Sequence, residues 1–123
     1  MNYDKHLAVK SLKPTSEWSW GGFDYADLNW ISSDTKPTES EIDAEVTRLN
    51  NAEPLRLLRI ERDKRLTDCD WIITMHKELG TNIPAAWKTY RQSLRDLPAS
   101  ASPSLDSYGD LDLTSVTWPT EPS

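Results

Sequence analysis

The stretch "AAWKTYRQSLRDLP", residues 85–98, decides how this chain folds. On a helical wheel Trp87, Tyr90, Leu94 and Leu97 fall at i, i+3, i+7 and i+10, one continuous apolar edge, while Lys88, Arg91, Gln92 and Arg95 hold the flanks. A helix this short is marginal alone in water, so the edge must be covered. At about 2 kcal/mol for each large side chain fully buried, the cover matters more than helix propensity does.

Upstream, Pro54 suits the first turn of a helix that runs from Leu55 to about Cys69, with Leu55, Leu58, Leu66 and Cys69 on an edge that Arg62 interrupts. Its other face is nearly all charge. After Trp71 come Ile72 and Ile73, and then "KELGTNIP": Gly80 and Asn82 end any helix that continues through Met75 and Leu79, and Pro84 opens the next. The expectation is an αα-hairpin in which the Trp87/Tyr90/Leu94/Leu97 edge packs on Leu55, Leu58 and Leu66, with Trp71 as a wedge near the connection.

Further upstream, "SEWSWGGFDYADLNWI" carries two short alternating runs, Trp18/Trp20 and Leu28/Trp30, around a Gly21-Gly22 pair and an acidic, aromatic insert. This predicts a β-hairpin with one face lined by indoles. Leu7, Val9 and Leu12, ahead of Pro14, supply a candidate third strand. Thr38 and Glu41 then stand at capping-box spacing, and Ile42, Val46 and Leu49 form one stripe of a helix that Asn50-Asn51 closes. The predicted class is α+β: an antiparallel hairpin with one helix over 1–52, a helical hairpin over 53–98, and an extended tail over 99–123. That tail is small, polar and rich in proline, and only "LTSVTW" reads as a strand. A free tail rarely needs a tryptophan, so Trp118 is a candidate anchor, docking on this chain or on a neighbour.

Composition narrows the functions. With 37% hydrophobic residues in 123, there is little material for a large core, so two small lobes or a lobe completed by a partner fit best. A formal net charge of -6 argues against a broad nucleic-acid or anionic-membrane surface. The basic cluster Arg56, Arg59, Arg62, Lys64 and Arg65 is interleaved with Glu61, Asp63 and Asp68 and lacks alternating aromatics, so it reads as a solvated or salt-bridged face. One cysteine suits a reducing compartment, and no signal-peptide or membrane-length apolar run stands out, so the expectation is a soluble cytoplasmic protein.

Groups poised for chemistry are few. His6 and His76 are far apart and lack metal-ligand spacing, and Cys69, despite Arg62 and Arg65 nearby, reads as a small buried thiol on a helix edge. Asp68 and Asp70, two residues apart on a helix, do not face each other. No phosphate-cradling loop, His-Glu-x-x-His motif or nucleophile elbow is present. The expectation is no catalytic residue, no cofactor and no metal. The six tryptophans serve a small core or a protein interface.

The run "RIERDKRLTDCDW", followed after a spacer by "IPAAWKTYRQSLRDLP" and later by "WPTEPS", resembles the small domain of phage tail assembly chaperones and tail-fibre-associated proteins. The likeness rests on Arg62-Asp63, Leu66, Asp70-Trp71, Trp87, Tyr90-Arg91, Leu94-Arg95-Asp96, Pro98 and Trp118-Pro119. The first half is similar, more weakly, to a module of small phage tail proteins. The spacer from Ile72 to Ile83 is longer than the Gln-Leu-Pro-Asp-like loop often found there. The resemblance implies a non-enzymatic protein without cofactor that binds a trimeric tail fibre or a baseplate protein, in several copies per fibre. It acts in the host cytoplasm during assembly, or stays in the virion tail as a permanent structural adaptor. On this reading Trp118, Trp18, Trp20 and Trp30 are the candidate partner contacts, and Leu58, Leu66, Trp71, Trp87, Tyr90 and Leu94 the structural motif.

Overall fold

The computed structural model describes residues 3–22 and 24–122, so that Phe23 of the hairpin insert and Ser123 at the end of the tail lie outside the described residues. It is α+β: a two-stranded antiparallel sheet with four α-helices, dividing into units Met1–Glu53 and Pro54–Ser123.

In the first unit, helix α1 (Lys5–Leu12) occupies the segment expected as a third strand. The Asp4 carboxylate accepts the Leu7 amide at 2.9 Å, an N-cap that commits the chain to helix before any strand partner is reached. Ala8, Val9 and Leu12 then share a face, so the residues that alternate weakly as a strand serve better at helical spacing. Strands β1 (Trp18–Trp20) and β2 (Leu28–Trp30) pair with Trp18 opposite Trp30 and Trp20 opposite Leu28, which puts all four on one face. A 3₁₀ turn, Tyr25–Asp27, lies in the connection. Helix α2 (Glu39–Asp68) opens with the capping box: Thr38 Oγ1 accepts the Glu41 amide at 3.1 Å, and Glu41 Oε1 accepts the Thr38 amide at 3.2 Å. Ala8, Val9, Leu28 and Ile42 are buried together, and the rings of Trp18, Trp20, Tyr25 and Trp30 pack around them.

Helix α2 does not stop at Asn50-Asn51. It runs unbroken for 30 residues with Pro54 inside it, where the sequence suggested a new start. Proline removes one amide from the ladder, but burial of Glu53 and Leu58 on either side fixes the helical path through it. Chain direction changes at Cys69, after which helix α3 (Asp70–Leu79) begins. Gly80, at φ 68°, takes the left-handed conformation that ends α3, and its amide bonds back to the last turn. Helix α4 (Ala85–Ser100) starts on the Pro84 carbonyl, which accepts the Trp87 amide at 3.1 Å.

The remaining chain is non-helical but tied down. Leu105 and Leu111 form an isolated antiparallel bridge. "LTSVTW" is not a strand: Leu113–Ser115 is a 3₁₀ turn because the Asp112 carboxylate accepts the Thr114 amide at 3.0 Å and bends the backbone. Val116 beyond it is buried. The second apolar cluster comprises Cys69, Ile72, Tyr90 and Leu94, with Leu66, Trp87 and Trp118 packed against it.

Candidate functional site

The Trp87/Tyr90/Leu94 edge of α4 faces the turn between α2 and α3. Ridge residues Tyr90 and Leu94 rest on Cys69 and Ile72, with Leu66 alongside, while Trp87 meets Tyr90 edge-on with ring centroids 5.8 Å apart. Leu58 is fully buried elsewhere in the same unit, and Leu97 is half-buried. Burial pushes the Tyr90 hydroxyl pKa up, so the ring stays a neutral phenol at physiological pH.

Around this cluster, arginines bond to the backbone where helices end. Arg91 donates through Nη1 to the Leu66 carbonyl at 2.9 Å and to Cys69 Sγ at 2.9 Å, and through Nη2 to Asp70 Oδ1 at 2.8 Å. The Leu66 carbonyl already accepts the Cys69 amide at 3.2 Å in the last turn of α2, so the guanidinium adds a second bond from α4 to that helix end as well as pairing with a carboxylate. Arg62 donates to the Arg95 carbonyl at 3.3 Å, from α2 to α4. Arg65 pairs with Glu61 at 3.1 Å and lies 4.0 Å above the Trp118 ring. The cluster expected as a solvated or salt-bridged face is salt-bridged at Arg62–Asp63 and Arg65–Glu61, and the same two arginines also reach the Arg95 carbonyl and the Trp118 ring.

Trp118 docks on its own chain. Its indole N–H donates to the Leu113 carbonyl at 3.2 Å, and the residues from Thr117 to Pro122 border clefts along α4 with Ala86, Ser93 and Leu97. Trp18, Trp20 and Trp30 are half-buried in the first unit, where the indoles of Trp20 and Trp30 donate to the carbonyls of Asp24 and Asp34 at 2.9 and 2.7 Å. His6 lies between Trp18 and Trp20, stacked on the first and edge-on to the second. Thus all four tryptophans singled out as partner contacts are engaged within the chain.

Trp71 behaves otherwise. The wedge expected near the helix connection is absent: Ile72 turns inward instead, and Trp71 is 61% exposed, with Leu79 two turns along α3 at 67%. Position alone gives the reason. Residues 71 and 72 are 100° apart on a helix, and only one can face α4. The signal was present in the sequence, since Ile72, not Trp71, continues the stripe that Leu66 and Cys69 begin.

Cys69 is buried, its thiol directed at the Leu66 carbonyl, and His76 Nδ1 pairs with Thr81 Oγ1 at 2.7 Å at the end of α3. Among the described residues no group of three or more histidine, cysteine or acidic side chains is gathered to hold a metal, and no helix is long and apolar enough to cross a membrane. The unit leaves Trp71 exposed in the first turn of α3 and Leu79 exposed at its last.

Residues 55–123 match the family model of the phage tail assembly chaperone protein. No curated protein and no solved structure matches the chain.

Proposed function

The chain belongs to the phage tail assembly chaperone family, and from that premise we propose that it binds the trimeric tail fibre and shields apolar fibre surface while the tail is put together. It does so in the host cytoplasm, without catalysis or cofactor, in several copies per fibre, and leaves once the fibre is in place. The observation that carries this reading is the exposure of Trp71 in the first turn of α3, with Leu79 exposed at the far end of the same helix, in the unit that the family model matches. A large aromatic and a leucine on a rigid helix give binding area at low entropic cost. Trp118 contributes from its outer edge and mainly holds the terminal segment in place, as its bonds to Arg65 and Leu113 imply. Trp18, Trp20 and Trp30 give the first unit a secondary contact surface around its hairpin.

Co-expression with the fibre protein tests this directly. Trp71→Ala is expected to reduce co-purification at least tenfold, about the loss of one interface hot spot, with the melting temperature of the free protein nearly unchanged. Trp118→Ala is expected to lower the melting temperature first. The opposite ranking would move the contact from α3 to the terminal segment. Mass spectrometry of purified particles separates a departing chaperone from a permanent adaptor, since the adaptor would be retained in stoichiometric amount.

A further inference from the structure

Residues 105–112, "LDSYGDLD", form a small loop built with more care than a connection needs. The Asp106 amide donates to the Asp110 carbonyl at 2.7 Å, and the Gly109 amide returns to the Asp106 carbonyl at 3.1 Å. Asp106 Oδ1 also accepts the amides of Tyr108 and Asp110 at 2.8 and 3.0 Å. Gly109, at φ 84°, supplies the left-handed residue that this turn requires, and the Leu105–Leu111 bridge ties its base. At the tip stands Tyr108, 88% exposed. A single exposed apolar ring is unremarkable on most surfaces. One held out on a loop fixed through a carboxylate is preorganised for insertion, because the ordering entropy is already spent. Around it are the carboxylates of Asp106, Asp110 and Asp112, with no cation in the loop.

A receptor of matching chemistry lies in the same unit. Between α3 and α4 runs a groove of about 560 Å³ lined by Ile73, Lys88, Thr89, Arg91, Gln92 and Arg95. It has one aliphatic side chain, three cations and no carboxylate in its lining, in a chain of net charge -6. Two carboxylates stand beside it: Asp70, bonded to Arg91, and Asp96, which accepts from Gln92 at 2.9 Å. Arg95 donates to Gln92 Oε1 at 2.8 Å rather than to a carboxylate. Neither Asp70 nor Asp96 engages Lys88 or Arg95, so the positive potential of the groove is only partly offset.

We infer that the chain self-associates, with the Tyr108 ring of one copy seated on Ile73 in the α3–α4 groove of a second copy and the Asp110 carboxylate facing Lys88 and Arg95. Each copy carries both knob and groove at different places. Copies can therefore exchange knobs as a closed pair or add head to tail. The contact is small and charge-guided, which makes it reversible and salt-sensitive.

Sedimentation velocity of the full chain over a wide concentration series tests this. The expected result is a concentration-dependent rise in mass that fades with added salt. Tyr108→Ala should weaken association about tenfold, the scale of one aromatic anchor, without shifting the melting temperature. Lys88→Glu and Asp110→Lys should each weaken it, and the double variant should recover most of the loss because both sides of the contact are reversed together. A protein that stays monomeric throughout overturns the inference. So does association that is indifferent to Tyr108, or a double variant as weak as the worse single one. If Tyr108→Ala impairs only co-purification with a fibre protein, the knob belongs to that partner and self-contact is refuted.

Discussion

In the first unit the apolar cluster is closed by rings: Trp18, Trp20, Tyr25 and Trp30 pack on Ala8, Val9, Leu28 and Ile42, and two indole N–H groups bond to nearby carbonyls. In the second unit a cluster of similar size is closed by guanidinium groups, with Arg91 on the α2–α3 break and Arg65 above Trp118. Both arrangements answer the same shortage of aliphatic side chains. What differs is their dependence on geometry. Rings seal by area and tolerate a change of neighbour, whereas an arginine that bonds a carbonyl, a thiol and a carboxylate together works only where helix ends are fixed. The unit matched by the family model is the one with the stricter geometry.

The largest effect that would break this contrast comes from the clusters themselves. Leu94→Ala is expected to cost about 3 kcal/mol, and Ile42→Ala a similar amount, as each empties a fully buried site. Hydrogen exchange should show the first variant losing protection in 54–122 and the second in the residues before 54. Equal loss in both units from either substitution would mean one cooperative structure and no contrast. Next comes Arg91→Ala, expected to cost about 1 kcal/mol in urea unfolding, because the bonds of a largely buried guanidinium are lost while the Leu66 carbonyl keeps the Cys69 amide and Asp70 is open to water. Arg91→Lys should recover less than half of that, since an ammonium group cannot span three acceptors. Full rescue by lysine would reduce the arginine closure to simple charge.

The smallest effect lies in the first unit. Arg48 bonds to the Glu45 carboxylate, outweighing the opposing effect of burial, and Ser11 assists at 3.0 Å, so the Glu45 pKa is held below its usual 4.5. A carboxylate lowered on folding stabilises the native state above its unfolded pKa and loses that contribution as pH falls through the folded one. Stability of the first unit should therefore decline as pH falls through and below the ordinary carboxyl range, and Glu45→Gln should flatten part of that slope. An unchanged slope would remove Glu45 from the account.

Much of this was legible in the chain itself. The inward face of α4, the indole-lined hairpin with its pairing, the Thr38–Glu41 box and the Gly80 stop all follow from spacing and local chemistry, which tertiary contacts did not override. What escaped depended on contacts remote in sequence. Leu7, Val9 and Leu12 look strand-like until Asp4 is seen capping a helix. Pro54 looks like a start because its helix-breaking tendency is local, whereas the burial on either side that overrides it is not. Arg91 reads as a flanking charge, and no pattern in the sequence states that a carbonyl 25 residues earlier awaits it. Trp71 was misplaced by a single helical step, the difference between facing α4 and facing water.

Pro54 has a mechanical consequence. It sits at the division between the two units, within a helix that crosses that division, and it has no N–H to give to the Asn50 carbonyl one turn back. The missing rung is made good from outside the ladder: Tyr3 donates its amide to Asn50 Oδ1 at 2.8 Å and its hydroxyl to Glu53 Oε2 at 2.6 Å, so two struts from the start of the chain brace the turn that proline leaves short.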